Sequence, residues 1–531
     1  MRVRLVGGNR DGPLFCGSGG GPSTIGGYMS SGDFGKRLSA QDASFLYFES
    51  EEAPLHIGSI AVLDGDVSYE RFVDSIDKKL HLIPRYLQRA VPAPFNIGHP
   101  TWEWDPEFDI KKHIFEVEIP SPGTDEQLIE LGANLFGGML DRGKPLWEMY
   151  LVKGVQGGRS AIVSKVHHCL VDGVSGIELL MLVFDVTPNP PPPMPAPEVE
   201  RPAIPGPLTR FMDAIFDNAS VALEEWAAVQ NSAVEAAFLG DSRSRRALRA
   251  LETAAPYLRE PVQRAPFNKP FKGKRKLGVS EFSFAEIRSI RGNCGGTVND
   301  VVLAVLGSAV GRYLEMHGQT TDNRMLRVLT PVNVRRDDER GKLGNRVSML
   351  LVEVPLGVND PVERLRLITE RTDTLKKRNV ADGMEVLSDA INGVPPALQA
   401  LAGMLPQPSN TVANMVCTNV PGPMIPLYCV GHRMLAHYPL IPIGWEMGVS
   451  CGVTSYDQKL YFGLMADADC APDVDRLKEF LDQAFVELRA AAGVTRSDLP
   501  EMGMVPAAER PAKRRAAAAP GAPQPMAADA G

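Results

Sequence analysis

The sequence lacks the segments that mark a membrane-spanning or secreted chain. No stretch of about 18 consecutive apolar residues occurs, and the best candidate, 301–310, is bounded by Asp300 and Arg312, which argues against a spanning helix. Arginines stand at positions 2 and 4, but no apolar stretch follows them, so a signal peptide is not indicated.

Paired cysteines and an excess of basic charge are also missing. The seven cysteines are scattered and form no CxxC pair, which indicates neither a disulfide framework nor a zinc site and favours a reducing cytoplasm. The formal net charge of −8 argues against the broadly basic surface that is typical of a nucleic-acid-binding protein. With 44% apolar and 23% charged residues, the composition is that of a globular protein.

Composition divides the 531 residues into two halves with unusual segments around them. Residues 1–34 contain ten glycines, and the C-terminal end is rich in alanine and proline, so we expect disorder at both ends. Ten of the twenty residues from 188 to 207 are proline, which predicts an extended connector. The predicted parts are a leader (1–34), an N-terminal half (35–187), a linker with bridging helices (188–262), a C-terminal half (263–495) and a tail (496–531).

The linker also contains an amphipathic pattern. Its apolar residues recur at helical spacing, at Leu208, Phe211, Met212, Ile215, Leu223 and Trp226. We expect this stripe to pack on the core of the protein; the alternative is a face that binds a membrane.

Both halves mix strand and helix periodicity, which predicts an α/β fold. Strands are predicted at 147–153 and 160–166, joined by a glycine-containing turn, and at 447–455 and 459–465. Apolar residues at helical spacing predict a helix near 177–184. Thr297 and Asp300 have the spacing of an N-terminal cap before a long helix that should end near Gly318.

The most informative segment places His167, His168, Asp172 and Gly173 between a predicted strand and a predicted helix. Successive side chains on a strand point to opposite faces, so the two histidines cannot both address one reacting atom or easily chelate one metal. We expect one to face a cavity and the other to support the backbone. Gly173 permits the tight turn that follows.

This segment carries the HHxxxDG signature of acyltransferases related to chloramphenicol acetyltransferase and to peptide-synthetase condensation domains. Other segments resemble the bacterial wax ester synthase/acyl-CoA:diacylglycerol acyltransferase family. They are, in chain order, Leu38–Leu46, His56 within PLHIG, Pro145–Trp147 (PLW), Asn299–Asp300 (ND), Pro331–Arg335, Gly344–Asn345 and Asn419–Pro423 (NVPGP). Asn333 and Thr418 stand where the family often has serine. The resemblance runs from about Leu38 to Leu488.

The resemblance implies two chloramphenicol acetyltransferase-like halves, each with a mixed sheet flanked by helices, and an active-site tunnel between them. It implies that His168 is the general base, that His167 supports it, and that Asp172 organises the loop through an arginine such as Arg335 or Arg336. Asn299 and Asp300 would shape the site, although capping of their helix is an equally good interpretation. No metal, cofactor or acyl-enzyme intermediate would be needed.

Four other sets of residues could take part in chemistry. Cys169 lies next to His168, but on a strand it should point away from it. Ser450 lies in a GxSxG pattern whose following residues alternate like a strand, so we interpret it as unrelated to a nucleophile elbow.

Trp147 is expected in the core rather than in an acyl pocket. Lys272, Lys274 and Lys276 belong to a basic cluster that could meet the phosphates of coenzyme A or an anionic membrane, or could simply be a solvated loop.

The function implied is transfer of a long-chain acyl group from acyl-CoA to diacylglycerol or a long-chain alcohol, giving triacylglycerol or wax ester. The chain would be cytoplasmic, would meet its lipid at the inner face of the membrane or at a lipid droplet, would be a monomer or homodimer, and would bind no nucleic acid. One alternative is an acyltransferase or condensation enzyme that takes its acyl group from a carrier protein. Another is a lipid-droplet protein whose site has decayed.

Overall fold

The fold is given by a computed structural model, which describes residues 37–170, 180, 182–195, 205–216, 260–333, 347–377, 394–405 and 412–497. The predicted leader and tail, the turn with Asp172 and Gly173, and Arg335 all lie outside the described residues, apart from the first two positions of the tail.

The first of two six-stranded sheets holds most strands of the N-terminal half. Its order is β11-β12-β1-β6-β5-β4. The strands are β1 (His56–Leu63), β4 (Ile114–Glu118), β5 (Trp147–Val155), β6 (Arg159–His167), β11 (Tyr428–Cys429) and β12 (His432–Leu440). The central pairs are antiparallel, whereas β4 and β5 run parallel.

The second sheet belongs to the C-terminal half, in the order β7-β14-β13-β10-β8-β9. The strands are β7 (Arg275–Ser283), β8 (Met325–Asn333), β9 (Val347–Pro355), β10 (Met415–Val420), β13 (Val449–Tyr456) and β14 (Lys459–Asp467). A separate hairpin pairs β2 (Gln88–Val91) with β3 (Thr101–Trp104). Parallel and antiparallel pairs occur together, so both large sheets are mixed.

Helices cover the sheets and close the two main cores. They are α1 (Ala40–Phe48), α2 (Tyr69–Asp77), α3 (Asp125–Gly137), α4 (207–216), α5 (Phe284–Cys294), α6 (Val298–Met316), α7 (Pro361–Lys377), α8 (Pro396–Met404) and α9 (Val474–Ala491). Most of α6 is buried, from Asp300 to Leu314, in the core of the second sheet. No single described helix is long and apolar enough to cross a membrane; α5 and α6 reach that length and hydropathy only together, with a 97° bend between them.

One strand from the C-terminal half, β12, belongs to the sheet of the N-terminal half. β12 begins more than two hundred residues after the proline-rich segment 188–207, yet it pairs with β1 along the register Gly58–Leu440 to Val62–Ala436. It also packs on β13 and β14. A Cβ on Gly463 would lie 2.0 Å from the Pro439 carbonyl oxygen, so only glycine lets the strands approach so closely. The C-terminal half therefore completes the sheet of the N-terminal half.

Several local predictions agree with the described elements. The hairpin of β5 and β6 and the late pair β13 and β14 lie within a few residues of their predicted bounds. Thr297 and Asp300 form a reciprocal capping box at the start of α6. The expected packing of the linker stripe is wrong for three residues: Leu208, Met212 and Ile215 are 75%, 41% and 43% exposed.

Candidate active site

The two histidines of the HHxxxDG segment lie at the end of β6. His167 is the last residue of the strand, paired opposite His56 of β1, and His168 begins a 3₁₀ turn that ends at Leu170. The His167 side chain is fully buried, whereas His168 is half-buried. The alternation expected from sequence therefore separates the two rings: one points into protein and the other reaches an accessible surface.

His168 is held in place by a hydrogen bond of its backbone and by stacking of its ring. Its N–H donates to the Leu55 carbonyl oxygen at 2.9 Å. The ring stacks on Phe45 of α1, with centroids 3.9 Å apart and 13° between the planes. Burial lowers the pKa of His168 to about 4, and its own backbone carbonyl opposes that effect only in part. At neutral pH the imidazole is therefore uncharged and can accept a proton.

A buried carboxylate that was not predicted from the sequence lies behind this turn. Glu49 follows the last residue of α1, and its side chain is 1% exposed. Its Oε1 lies 3.1 Å from His56 Nε2 and 3.3 Å from His167 Nε2, and its Oε2 accepts from Arg142 at 2.8 Å. No motif marks Glu49; the available signal was its place between the Leu38–Leu46 segment and His56.

The charge of Glu49 is stabilised despite its burial. Burial alone would raise the pKa of this carboxyl, but the contacts with His167, His56 and Arg142 outweigh it and hold the pKa well below its ordinary value. Burial lowers the pKa of His56, which Glu49 opposes in part. In the described part of the chain, no group of three or more His, Cys, Asp and Glu side chains, this one included, is arranged to hold a metal ion.

The ND pair and the PLW tryptophan have structural contacts. Asp300 accepts from the backbone and hydroxyl of Thr297 at 2.7 and 2.8 Å and from Thr372 Oγ1 at 2.8 Å. Asn299 lies half-buried in the first turn of α6. Trp147 is buried in the core, stacks on His113 and donates from its indole N–H to the Tyr86 carbonyl.

The basic cluster is partly engaged with acidic groups and backbone. Arg275 is buried and donates to the Glu52 carbonyl at 2.6 Å, and Lys276 donates to the Pro472 carbonyl at 2.6 Å. Lys272 lies 3.7 Å from Asp469. Lys274 is exposed.

Neither alternative nucleophile has the environment that its chemistry requires. Cys169 is buried, and burial raises the pKa of its thiol well above the ordinary value, which disfavours the reactive thiolate. Ser450 is buried inside β13, where its hydroxyl faces the Ile441 carbonyl at 3.4 Å. A strand interior is not the exposed strand-to-helix turn of a nucleophile elbow.

Two family models match consecutive parts of the chain. The wax ester synthase/diacylglycerol acyltransferase catalytic domain matches residues 38–302, and the C-terminal domain of the same family matches residues 343–489. A probable diacylglycerol O-acyltransferase, tgs1, of Mycobacterium tuberculosis is 31% identical over 457 residues, which cover 85% of this chain and 96% of that protein. The chain belongs to the wax ester synthase/diacylglycerol acyltransferase family. The resemblance found in the sequence is thereby confirmed, and with it the acyltransferase class.

Solved structures confirm the fold of this family member. The wax ester synthase/diacylglycerol acyltransferase of Marinobacter aquaeolei VT8 superposes with a TM-score of 0.59 at 23% identity, covering 86% of this chain and all of that one. The first condensation domain of the calcium-dependent antibiotic synthetase superposes with a TM-score of 0.55 at 15% identity, over 86% of this chain and 95% of that one. The predicted acyltransferase fold with mixed sheets is therefore correct.

Proposed function

We propose that the chain transfers a long-chain acyl group from acyl-CoA to the hydroxyl of diacylglycerol or of a long-chain alcohol. The products are triacylglycerol or wax ester and free coenzyme A. The observation that supports the proposal is the position of His168, half-buried at the end of β6 and stacked on Phe45, in a chain whose family is named for this reaction.

The acceptor hydroxyl is a poor nucleophile while it keeps its proton. His168 takes that proton as the oxygen attacks the thioester carbonyl, and the tetrahedral oxyanion collapses with loss of the coenzyme A thiolate. His168 then returns the proton to the thiolate sulfur. General acid–base catalysis of this kind contributes about 10²–10⁴-fold to the rate. The step uses no acyl-enzyme and no metal or cofactor, and acyl-CoA is a substrate.

The Nε2 atom of His168 is the base in this proposal. Nδ1 is buried, whereas the residue as a whole is half-buried, so the ring meets substrate with its other edge. We propose that a tunnel between the halves brings the two substrates to this edge, that Asp172 and Arg335 organise the following loop, and that Asn299 and Asp300 act from the start of α6.

The reaction is tested with purified protein, palmitoyl-CoA and a panel of diacylglycerols and long-chain alcohols. Free thiol and product lipid are measured together, with His168→Ala as the control. We expect equimolar thiol and ester, and a loss of at least about 10²-fold in the variant. Full activity of His168→Ala contradicts the mechanism. Release of acyl groups only from acyl-carrier protein favours the carrier-dependent alternative.

We further propose that the chain meets its acceptor at a lipid surface through α4 and α8. Both helices pack against the segment 94–103: α8 contacts Pro94–Asn96, and Arg210 of α4 pairs with Glu103 at 2.6 Å. Most of their exposed side chains are apolar, and Phe95 is exposed as well. The α4–α8 surface consists of Phe95, Leu208, Met212, Leu398, Leu401 and Met404.

The composition and position of α8 support this contact. No Asp, Glu, Lys or Arg occurs between Asp389 and Arg433, so burial of this helix in lipid desolvates no charged side chain. α8 also packs directly on α1, which carries Phe45. A Cβ on Gly403 would lie 2.1 Å from the Tyr47 carbonyl oxygen, so glycine permits this close packing. α8 therefore contacts the helix whose Phe45 ring is stacked on His168.

Flotation with phosphatidylglycerol vesicles tests the contact. We expect Leu398→Ser with Leu401→Ser to lower the bound fraction several-fold, because each leucine contributes about 1.5–3 kcal/mol when fully buried. Val486→Ser is the matched control, since Val486 is 49% exposed on α9. Equal losses in both proteins, or none in either, contradict the α4–α8 surface.

A further inference from the structure

We infer that Glu49 is a positioning residue for catalysis: it fixes the proton of His167 on Nε2, and through that tautomer holds the turn that carries His168. The inference rests on the proposed role of His168 as the general base.

The hydrogen bonds of His167 define its tautomer. Its Nδ1 accepts the backbone N–H of Cys169 at 3.2 Å. A nitrogen that accepts carries no proton, so the ring proton must be on Nε2. Nε2 lies 3.3 Å from Glu49 Oε1. A buried carboxylate this close stabilises the partial positive charge of an N–H at Nε2, and the opposite tautomer would present a lone pair to the negative charge.

The tautomer matters because Cys169 lies inside the turn. The 3₁₀ turn runs from His168 to Leu170, and its middle N–H is the one that His167 accepts. With the proton on Nδ1, two N–H groups would face each other and this contact would be repulsive. The backbone directly after His168 would then have to move.

A second connection runs from Glu49 through Leu55. Glu49 Oε1 accepts the Leu55 N–H at 3.1 Å, and the Leu55 carbonyl accepts the His168 N–H at 2.9 Å. Loss of the carboxylate therefore loosens the same backbone from both sides. Three donors share Oε1, and neither imidazole N–H is aligned on it as a regular hydrogen bond.

Arg142 keeps the carboxylate in place. Its Nη2 donates to Glu49 Oε2 at 2.8 Å and to the Leu46 carbonyl at 2.9 Å. The Glu49 backbone N–H bonds to the Phe45 carbonyl at the end of α1. The Glu49 carboxylate and the Phe45 ring are thus both positioned by the C-terminal end of α1, and both act on His168.

The experiment compares Glu49→Gln with wild type by steady-state kinetics and by NMR of ring-¹⁵N-labelled histidine. The His167 signal is the one lost in His167→Gln. We expect the Nε2–H signature in wild type and its loss or mixing with the Nδ1–H form in Glu49→Gln. We also expect kcat to fall about 10- to 100-fold, as misplaced catalytic groups do, with the KM for acyl-CoA within about two-fold.

Glu51→Gln is the matched control, because it removes one negative charge from the same segment at an exposed position. It should leave both the spectrum and kcat unchanged. If Glu49→Gln does not fold, Glu49→Asp retains the buried charge for Arg142 while withdrawing the carboxylate from His167, and the same tautomer change is expected. A wild-type His167 with its proton on Nδ1, or an unchanged spectrum in a folded Glu49 variant, overturns the inference.

The two readouts separate this inference from the proposed function. If no donor supports acyl transfer, the proposed function is contradicted. The His167 spectrum would still test the tautomer of His167. Normal activity of His168→Ala would show that His168 is not the general base. The NMR spectrum expected for His167 would again be unchanged.

Discussion

The Phe45 ring lies flat on the His168 ring, with centroids 3.9 Å apart. Phe45→Leu keeps an apolar side chain but removes the flat surface that limits rotation of the imidazole. We expect kcat to fall about ten-fold or more, because small errors in the placement of a catalytic group are costly. Phe48→Leu makes the same change three residues further along α1 and should leave kcat within about two-fold. Equal kinetic effects of the two substitutions would contradict a role for the stack.

The pH dependence of turnover reports on His168. Burial lowers its pKa to about 4 from an ordinary 6.5, so the imidazole remains uncharged well below neutral pH. We expect kcat/KM to stay level as the pH falls from 8 to about 5.5 and to decline as it approaches the pKa. Enzyme returned from low pH to pH 7.5 before assay controls for unfolding. An acid limb centred near pH 6.5 would contradict the proposed state of the ring.

Acid should weaken the fold through a second buried histidine. His437 of β12 is 8% exposed, and burial lowers its pKa to about 4. The unfolded chain therefore binds the extra proton between about pH 6.5 and 4, so this contribution to stability falls as the pH falls through that window. At pH 5 the loss is about 2 kcal/mol relative to neutral pH.

Urea unfolding of His437→Gln at pH 7.5 and pH 5 measures this contribution. The difference between the two free energies of unfolding should shrink by about 2 kcal/mol in the variant. His432→Gln, a change on the same strand at a side chain that is 32% exposed, is the comparison. A pH difference that His437→Gln leaves unaltered would rule out this source of acid sensitivity.

Cys169 should be dispensable for turnover. Its thiol is buried and its pKa is raised well above the ordinary value, so it supplies little thiolate. We expect Cys169→Ala to retain kcat within about three-fold, because it removes only the thiol and keeps the backbone N–H that donates to His167. Mass spectrometry of enzyme incubated with palmitoyl-CoA alone should show no acyl adduct. An adduct that disappears in Cys169→Ala would establish the acyl-enzyme route instead.

The basic cluster can be tested one lysine at a time. All three lysines are exposed, but Lys276 donates to a backbone carbonyl and Lys272 lies 3.7 Å from Asp469. Lys274→Gln should therefore raise the KM for acyl-CoA more than Lys272→Gln, and the effect should shrink with added salt. If KM is constant but vesicle flotation falls, the cluster meets a membrane rather than coenzyme A; if both are constant, it is a solvated loop.

The sequence allowed prediction of features set by local patterns. The capping box of Thr297 and Asp300 and the hairpin of β5 and β6 depend on residues a few positions apart, and they were predicted correctly. The different burial of His167 and His168 agrees with the separation that strand alternation predicts. The family resemblance added the proposed role of each histidine, which geometry by itself does not specify.

Contacts between distant segments could not be predicted in this way. Glu49 reaches His167 only because the end of α1 lies against the end of β6, more than one hundred residues later. The exposure of Leu208 was also missed, since helical spacing identifies an apolar stripe but not what covers it. Nor did the proline-rich linker mark a boundary in space, because β12 crosses to the other sheet.

That crossing strand has a consequence for biosynthesis. β1 pairs with β6 on one side and with β12 on the other, so its second edge stays open until residues 432–440 have left the ribosome. An unpaired strand edge invites pairing with other chains. The strand that carries His167 is made early, but the sheet around it closes only after more than four-fifths of the 531 residues have been translated. A nascent chain that stalls in the linker is thus an aggregation hazard, and the catalytic histidines have their final surroundings only near the end of synthesis.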